Sequence, residues 1–487
     1  MKNLFNILFI ILTWNTSATV YYVSTDGNDQ NNGQSLSEAF RTISKLLNEI
    51  QAGDTAYIRG GLYILNQTTQ RSGTQDHPII IKSYNHEQVI LEGSGNSSNG
   101  GRFRIRHDWY VIEQLELRNG SAGFTLTRNA SNNIINNCRV HDCYYTGFYL
   151  ANGASNNLII NCDAYNMYDS GTNGQHADGF GVNGQNSMPG PGNKFENCRA
   201  YNNSDDGFDV WKAGHPVEFI RCLSYRNGHH DGDGNGFKLG INSTQNDKHI
   251  LKYCMAWDNK QNGFDYNDNE LSQTLYHCTS YHNGRNYKFW NINGNPATHD
   301  IQNCISAVCT HNDILLQTII TENTNSWNLV DPNDADIVND NFLSVDDQII
   351  TGPRNTDGSI PDSDFLKLKS TSIFIDAGVD VGLPYNGSAP DLGAFETGTM
   401  SLDEISDRSV FYLYPNPASD HIHLIYHIGY PARLRIYDFS GKCLKNMKLL
   451  PEYNKETILL GNLKKGYYFL LVYENGMAVF RRKFIIQ

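Results

Sequence analysis

A six-residue pattern recurs through the middle of the chain and narrows the possible folds more than any other feature. It reads CDAYNM from Cys162, CRAYNN from Cys198, CLSYRN from Cys222, CMAWDN from Cys254 and CTSYHN from Cys278. CRVHDC at Cys138 and CISAVC at Cys304 are frayed copies. Successive cysteines lie 24, 36, 24, 32, 24 and 26 residues apart. A base period in the mid-twenties, lengthened by insertions, is a solenoid signature in which each repeat forms one coil. A second landmark follows each copy, at Phe148, Phe180, Phe208, Phe237, Phe264 and, in YKF, Phe289. The pattern predicts an all-β chain, a right-handed parallel β-helix whose coils stack at about 4.8 Å.

Stacked coils turn equivalent residues into columns. The cysteine and phenylalanine columns are expected to point inward. Asn203, Asn227, Asn259 and Asn283 form a third column, suited to left-handed bends and amide ladders. Ten cysteines in an exported chain invite disulfides, but cysteines repeating one per coil read as reduced core residues. The C-x4-C pairs Cys138/Cys143 and Cys304/Cys309 leave a disulfide or zinc role open.

The first 18 residues, MKNLFNILFIILTWNTSA, have a basic start, a short apolar core and small residues at the end, as in a secretory signal peptide. The net charge of −13 argues against nucleic-acid binding through a basic face.

Two columns carry chemistry. The position after each phenylalanine reads Tyr149, Gly181, Asp209, Lys238, Asp265 and Trp290. The position two before it reads Thr146, Asp178, Asp206, Asn235, Asn262 and Tyr287. With Asp205, this places four carboxylates, Asp178, Asp205, Asp206 and Asp209, on two adjacent coils of one exposed face. Such a cluster repels itself unless a cation binds, and oxygen ligands select Ca²⁺. Lys238 sits one coil further along. The alternative is a solvated acidic face neutralised by a lysine. A cation beside an amine suits proton abstraction next to a uronate carboxylate, followed by β-elimination of the O4 leaving group. The insertion HHDGD, 229–233, just before the lysine, is either a cleft loop or plain surface.

HADGF (176–180), SDDGFD (204–209), GNGFKLG (234–240), AWDNKQNGFDYNDN and YHNGRNYKF together resemble polysaccharide lyase family 9, the calcium-dependent pectate lyases. YYVSTDGNDQNNG and APDLGAFE resemble the two ends of secreted β-helix enzymes, so the resemblance covers residues 20–396. It implies Asp178, Asp205, Asp206 and Asp209 as Ca²⁺ ligands and Lys238 as the base. It implies an acidic pectic substrate, homogalacturonan or a rhamnogalacturonan backbone. Arg285, Lys212, Trp211 and Trp290 are candidates for substrate contacts; each has an equally ordinary structural reading.

Beyond the β-helix domain (19–396) comes a polar linker (397–408), then alternating strands in 409–487 that predict a small β-sandwich. YPNPASD, IYDFSGK and GYYFLLVYENG resemble the type IX secretion sorting domain of Bacteroidetes. That implies contact with the outer-membrane secretion machinery and a secreted or cell-surface location; a monomer is expected. Two other functional classes remain: a β-helix hydrolase using paired aspartates, and a non-catalytic glycan-binding β-helix.

Overall fold

A computed structural model describes residues 18–398 and 410–486, apart from 185–186, 242–246, 270, 290–298, 312–314, 317–323, 335 and 357 in the first span and 415–417, 419–420, 429–430, 439–441, 451–454, 462 and 475–476 in the second. The expected signal peptide, most of the linker and Trp290 therefore lie outside the described residues.

Short strands of two to five residues stack into three long parallel sheets of 11, 10 and 10 strands, one strand per sheet from each coil. Together they form the right-handed parallel β-helix expected from the repeat. The phenylalanine column pairs in register, Phe103, Phe124, Phe148, Phe180, Phe208, Phe237 and Phe264. Its rings stack at 4.7 Å between Phe180 and Phe208 and 4.8 Å between Phe208 and Phe237, the strand spacing itself. An outer stack runs Tyr165, Tyr201, Tyr225 and Trp257 on the neighbouring sheet.

The cysteine column is buried, and none of the ten cysteines is in a disulfide. Each column thiol donates inside the coil, as Cys162 Sγ does to the Ile160 carbonyl at 3.2 Å. The Cys138/Cys143 and Cys304/Cys309 pairs form no disulfide.

The asparagine ladder is present. Asn203 Nδ2 donates to Asn227 Oδ1, Asn227 to Asn259 and Asn259 to Asn283, at 2.9–3.0 Å. The left-handed bend, however, falls one residue earlier, at Asn202, Arg226, Asp258 and His282. The ladder amide must point inward to bridge coils, so its predecessor absorbs the turn.

One register expectation fails. Phe264 pairs with Tyr287, not with Phe289, and Asp265 pairs with Lys288. Tyr287 fits the phenylalanine column because its hydroxyl donates to the Cys278 and Ile305 carbonyls. Lys288 thus continues the Lys238 column, the place expected for Trp290. Arg285 pairs with Asn262 in the column expected to hold Tyr287.

The seven-residue helix Ile43–Glu49 covers the N-terminal end of the core with Ile43, Leu46 and Leu47, and Thr42 caps it. Residues after the last coil fold back over the tyrosine-bearing sheet. There Phe342, Phe365 and Phe374 pack with Tyr225, Met255 and Trp257. Arg199 and Arg354 clamp this segment, both reaching Asp163, with Arg199 also donating to the Ile350 and Gly352 carbonyls. The two guanidiniums outweigh burial and hold Asp163 at about 2. From Val410 onward, three-stranded and four-stranded antiparallel sheets enclose a separate core that includes Leu424, Leu434, Leu470 and Phe484, as the alternation predicts.

Removing one ladder amide should be costly. Asn227→Ala leaves the backbone N–H of Asn203, now bonded to Asn227 Oδ1 at 3.1 Å, buried without a partner. A loss of about 1–3 kcal/mol is expected, read as a lower denaturant midpoint with unchanged slope. Wild-type stability would show that the ladder is dispensable.

Candidate functional site

The site lies on the sheet built from the phenylalanine strands. Asp209 follows Phe208 in the strand Phe208–Asp209, and Lys238 follows Phe237 in Phe237–Lys238; the two are cross-strand neighbours. Asp206 and Asp178 sit two residues before their phenylalanines, where the chain turns into the strand. There the polar column forms its own ladder. Thr146 Oγ1 donates to Asp178 Oδ2 at 3.2 Å, Asp206 N to Asp178 Oδ1 at 3.2 Å and Asn235 Nδ2 to Asp206 Oδ1 at 2.9 Å. Asn262 Nδ2 continues it to Asn235 Oδ1 at 2.8 Å. Each side chain is thus fixed by the coil beside it.

The four aspartates come together as expected, but not on an exposed face. Asp178, Asp205, Asp206 and Asp209 are 7, 6, 0 and 9 % exposed. They divide into two groups sharing Asp206. One is Asp178, Asp206 and Asp209; the other is Asp205, Asp206 and Asp233, each with oxygens within 4.8 Å of one another. Asp233 is the member that the repeat alone does not reveal, because it lies in an insertion absent from the coils that begin at Cys198 and Cys254. Its backbone N–H donates to Asp205 Oδ1 at 2.8 Å, which folds the insertion back onto the cluster. The signal was its place five residues before Lys238 in GDGNGFKLG.

Lys238 is not a lone amine. Its Nζ lies 2.9 Å from Asp206 Oδ2 and 3.2 Å from Asp233 Oδ2. The Asp206 contact is an ion pair without hydrogen-bond alignment, so Asp206 Oδ2 is buried without a hydrogen-bond donor among the described residues, as is Asp209 Oδ1. Two such oxygens among clustered carboxylates fit a hard cation with oxygen ligands. Asp265, the other neighbour in the column, is occupied by Lys288 at 3.1 Å.

Burial and the neighbouring carboxylates act together on the aspartates and against each other on Lys238. Burial, then Asp209 and Asp206, hold the Asp178 carboxyl well above the usual range. Burial, then Asp206 and Asp178, push Asp205 up to about 10. Burial pushes Asp209 up to about 7, with Lys238 pulling it down and Asp206 pushing it further up. For Lys238, burial favours the neutral amine, but Asp206, Asp209, Asp205 and Asp233 outweigh it and hold the ammonium well above the usual lysine range.

The other candidates scatter. Trp211 and Lys212 lie in the turn after the Asp209 strand, with Lys212 Nζ 4.2 Å from the Trp211 ring centre. Arg285 sits one coil beyond Asn262, half-buried, with its Nε unpartnered.

Residues 21–305 match the family described as Pel9A-like, right handed beta helix region, and residues 412–487 match the secretion system C-terminal sorting domain. Pectate lyase L of Dickeya dadantii is 33% identical over 402 residues, 77% of this chain and 90% of that protein. Pectate lyase PEL9 of Emericella nidulans is 31% identical, over 71% and 91%. The crystal structure of pectate lyase Pel9A superposes with a TM-score of 0.68 at 31% identity, covering 79% of this chain and 97% of that one. A rhamnogalacturonan lyase structure gives 0.64 at 26%, covering 72% and 97%. Fold and similarities together define a polysaccharide lyase on a parallel β-helix, with a C-terminal module that directs export. The chain belongs to the Pel9A-like right-handed β-helix family.

The raised carboxylates predict a pH dependence of stability. Asp209 binds its proton more tightly in the fold, up to about 7, than an unfolded aspartate near about 3.9. Its contribution is therefore complete at low pH and lost as pH rises through about 7. In chelating buffer the melting temperature should fall between about pH 4 and 7, and fall less in Asp209→Asn. Parallel curves for the two proteins would contradict this.

Proposed function

We propose that the protein is a calcium-dependent lyase that cleaves an acidic pectic polymer, polygalacturonate first, by β-elimination. The observation that carries this reading is the convergence of two carboxylate groups on Asp206, with the Lys238 amine at their junction. Asp178, Asp205, Asp206 and Asp209 would hold the ion. When bound, Ca²⁺ supplies positive charge that offsets the carboxylates and acidifies the carbon next to a uronate carboxylate.

Lys238 is the base. Its neutral amine takes the proton from C5 of the uronate. The C–H electron pair becomes the C4–C5 double bond, and the C4–O4 bond breaks with its pair going to O4. The leaving oxygen is protonated by solvent. Lys238 is only 12 % exposed in its side chain, and that burial favours the neutral amine once the surrounding carboxylate charge is offset. Activity should therefore rise on the alkaline side.

The Pel9A structure and the Dickeya and Emericella enzymes are named pectate lyases, which favours polygalacturonate. The rhamnogalacturonan lyase neighbour supports a second substrate for the same chemistry. We further propose a signal peptide at 1–18, a catalytic domain at 19–396 and a linker at 397–408 from which the sorting module (409–487) is removed after passage across the outer membrane.

The test follows ultraviolet absorbance of the unsaturated product on both polymers, with calcium and with chelator. Lys238→Ala should lower kcat by about 10²–10⁴-fold or more while the fold is kept. New reducing ends without absorbance would show hydrolysis by paired aspartates. Full activity in Lys238→Ala would overturn the mechanism.

A further inference from the structure

The catalytic sheet carries a second charged feature, of the opposite sign. Arg102, Arg104 and Arg106 alternate with the buried Phe103 and Ile105, so Arg104 lies on the outer side of the strand Phe103–Ile105 and Arg102 and Arg106 flank it at its two ends. All three are half-buried. In a chain of charge −13, such cations would ordinarily be paired. Among the described residues none of them forms an ion pair. Arg102 Nε donates to Ser121 Oγ at 3.0 Å and Arg104 Nη1 to Asn66 Oδ1 at 2.8 Å, both neutral acceptors. Arg106 Nε is buried with no hydrogen-bond partner among the described residues. Asp108, close by in sequence, accepts from Ser131 N instead. Arg104 is burdened by burial and by repulsion from Arg102 and Arg106, which lower its pKa.

The register ties this row to the site. Arg104 pairs with Thr125, Thr125 with Tyr149, Tyr149 with Gly181, Gly181 with Asp209 and Asp209 with Lys238. Arg104 and Lys238 thus occupy one column, five strand spacings or about 24 Å apart. Between them the half-buried Tyr149 ring borders Gly181, whose missing side chain keeps the floor low; a Cβ there would lie 3.7 Å from the ring.

We propose that Arg102, Arg104 and Arg106 form a distal subsite for the carboxylates of an acidic polysaccharide running along this column from Lys238. The proposal rests on the function proposed above. A pyranose advances along an extended chain by a distance close to one coil, so the row meets sugars roughly five units from the reacting bond. Planar guanidiniums match carboxylates in fork geometry. Uronate carboxylates supply the counter-charge that the protein withholds from these arginines. The enzyme would hold long chains away from the cleavage point, which favours internal cuts in polymer over attack on short oligomers.

The experiment compares wild type, Arg104→Gln and the triple variant Arg102→Gln/Arg104→Gln/Arg106→Gln on polygalacturonate and on its trimer, which is too short to reach the row from Lys238. KM for the polymer should rise by about three- to tenfold per arginine that contacts a carboxylate, with kcat and all trimer kinetics unchanged. Equal losses on trimer and polymer, or an unchanged polymer KM, would overturn the proposal. Binding is read separately, by retardation in gels containing polygalacturonate, with every protein in the Lys238→Ala background. Loss of retardation in Arg104→Gln, with an unchanged melting temperature, supports the subsite even if the wild type shows no lyase activity. Arginine-independent retardation, or equal retardation by dextran sulfate, contradicts it.

Discussion

Everything chemical in this protein depends on the parallel register between neighbouring coils. A strand of two residues, such as Phe208–Asp209, has too few hydrogen bonds to orient anything by itself. It is held because Phe208 is stacked between Phe180 and Phe237 at 4.7 and 4.8 Å. The aromatic column fixes the height and rotation of each coil. The asparagine ladder fixes the corner next to it. With both in place, the residue after each phenylalanine has one available position, and Asp209 must meet Lys238. A slip of one residue would exchange that column with the core.

That rigidity lets the fold hold charges together that would otherwise separate. Asp178, Asp205, Asp206 and Asp209 are nearly out of water, and the polar ladder satisfies only some of their oxygens. Lys238 and a divalent cation would be alternative answers to the same excess of negative charge. In the structure as it stands the ammonium provides it, through Asp206 and Asp233. The proposed chemistry needs the cation to take over that role, so that the amine is free to accept a proton. The basic row at Arg102–Arg106 is the reverse case, positive charge on the same sheet that forms no ion pair among the described residues.

Much of this was legible in the sequence because a solenoid turns spacing into geometry. The cysteine and phenylalanine intervals were enough to align coils, and with them Asp178, Asp206, Asp209 and Lys238. What could not be read were departures from the repeat. The YKF coil looks like its predecessors, yet Tyr287 takes the core position because its hydroxyl finds two carbonyls inside, which shifts Lys288 and Arg285 into the two site columns. Asp233 lies in an insertion, and only the folded-back loop shows that it reaches Lys238. Burial was also hidden, since the strand at Asp209 is too short for simple alternation to say which side chains meet water. The arginine row lies outside the repeat landmarks altogether.

The proposed function makes Lys238 and calcium competitors for the same carboxylates. The most direct measurement is the calcium affinity, by calorimetry at one pH and ionic strength, of wild type and of Lys238→Ala. If the ammonium occupies Asp206 in the ion-free protein, removing it must tighten calcium binding. An affinity that is unchanged or weaker in Lys238→Ala would contradict the account.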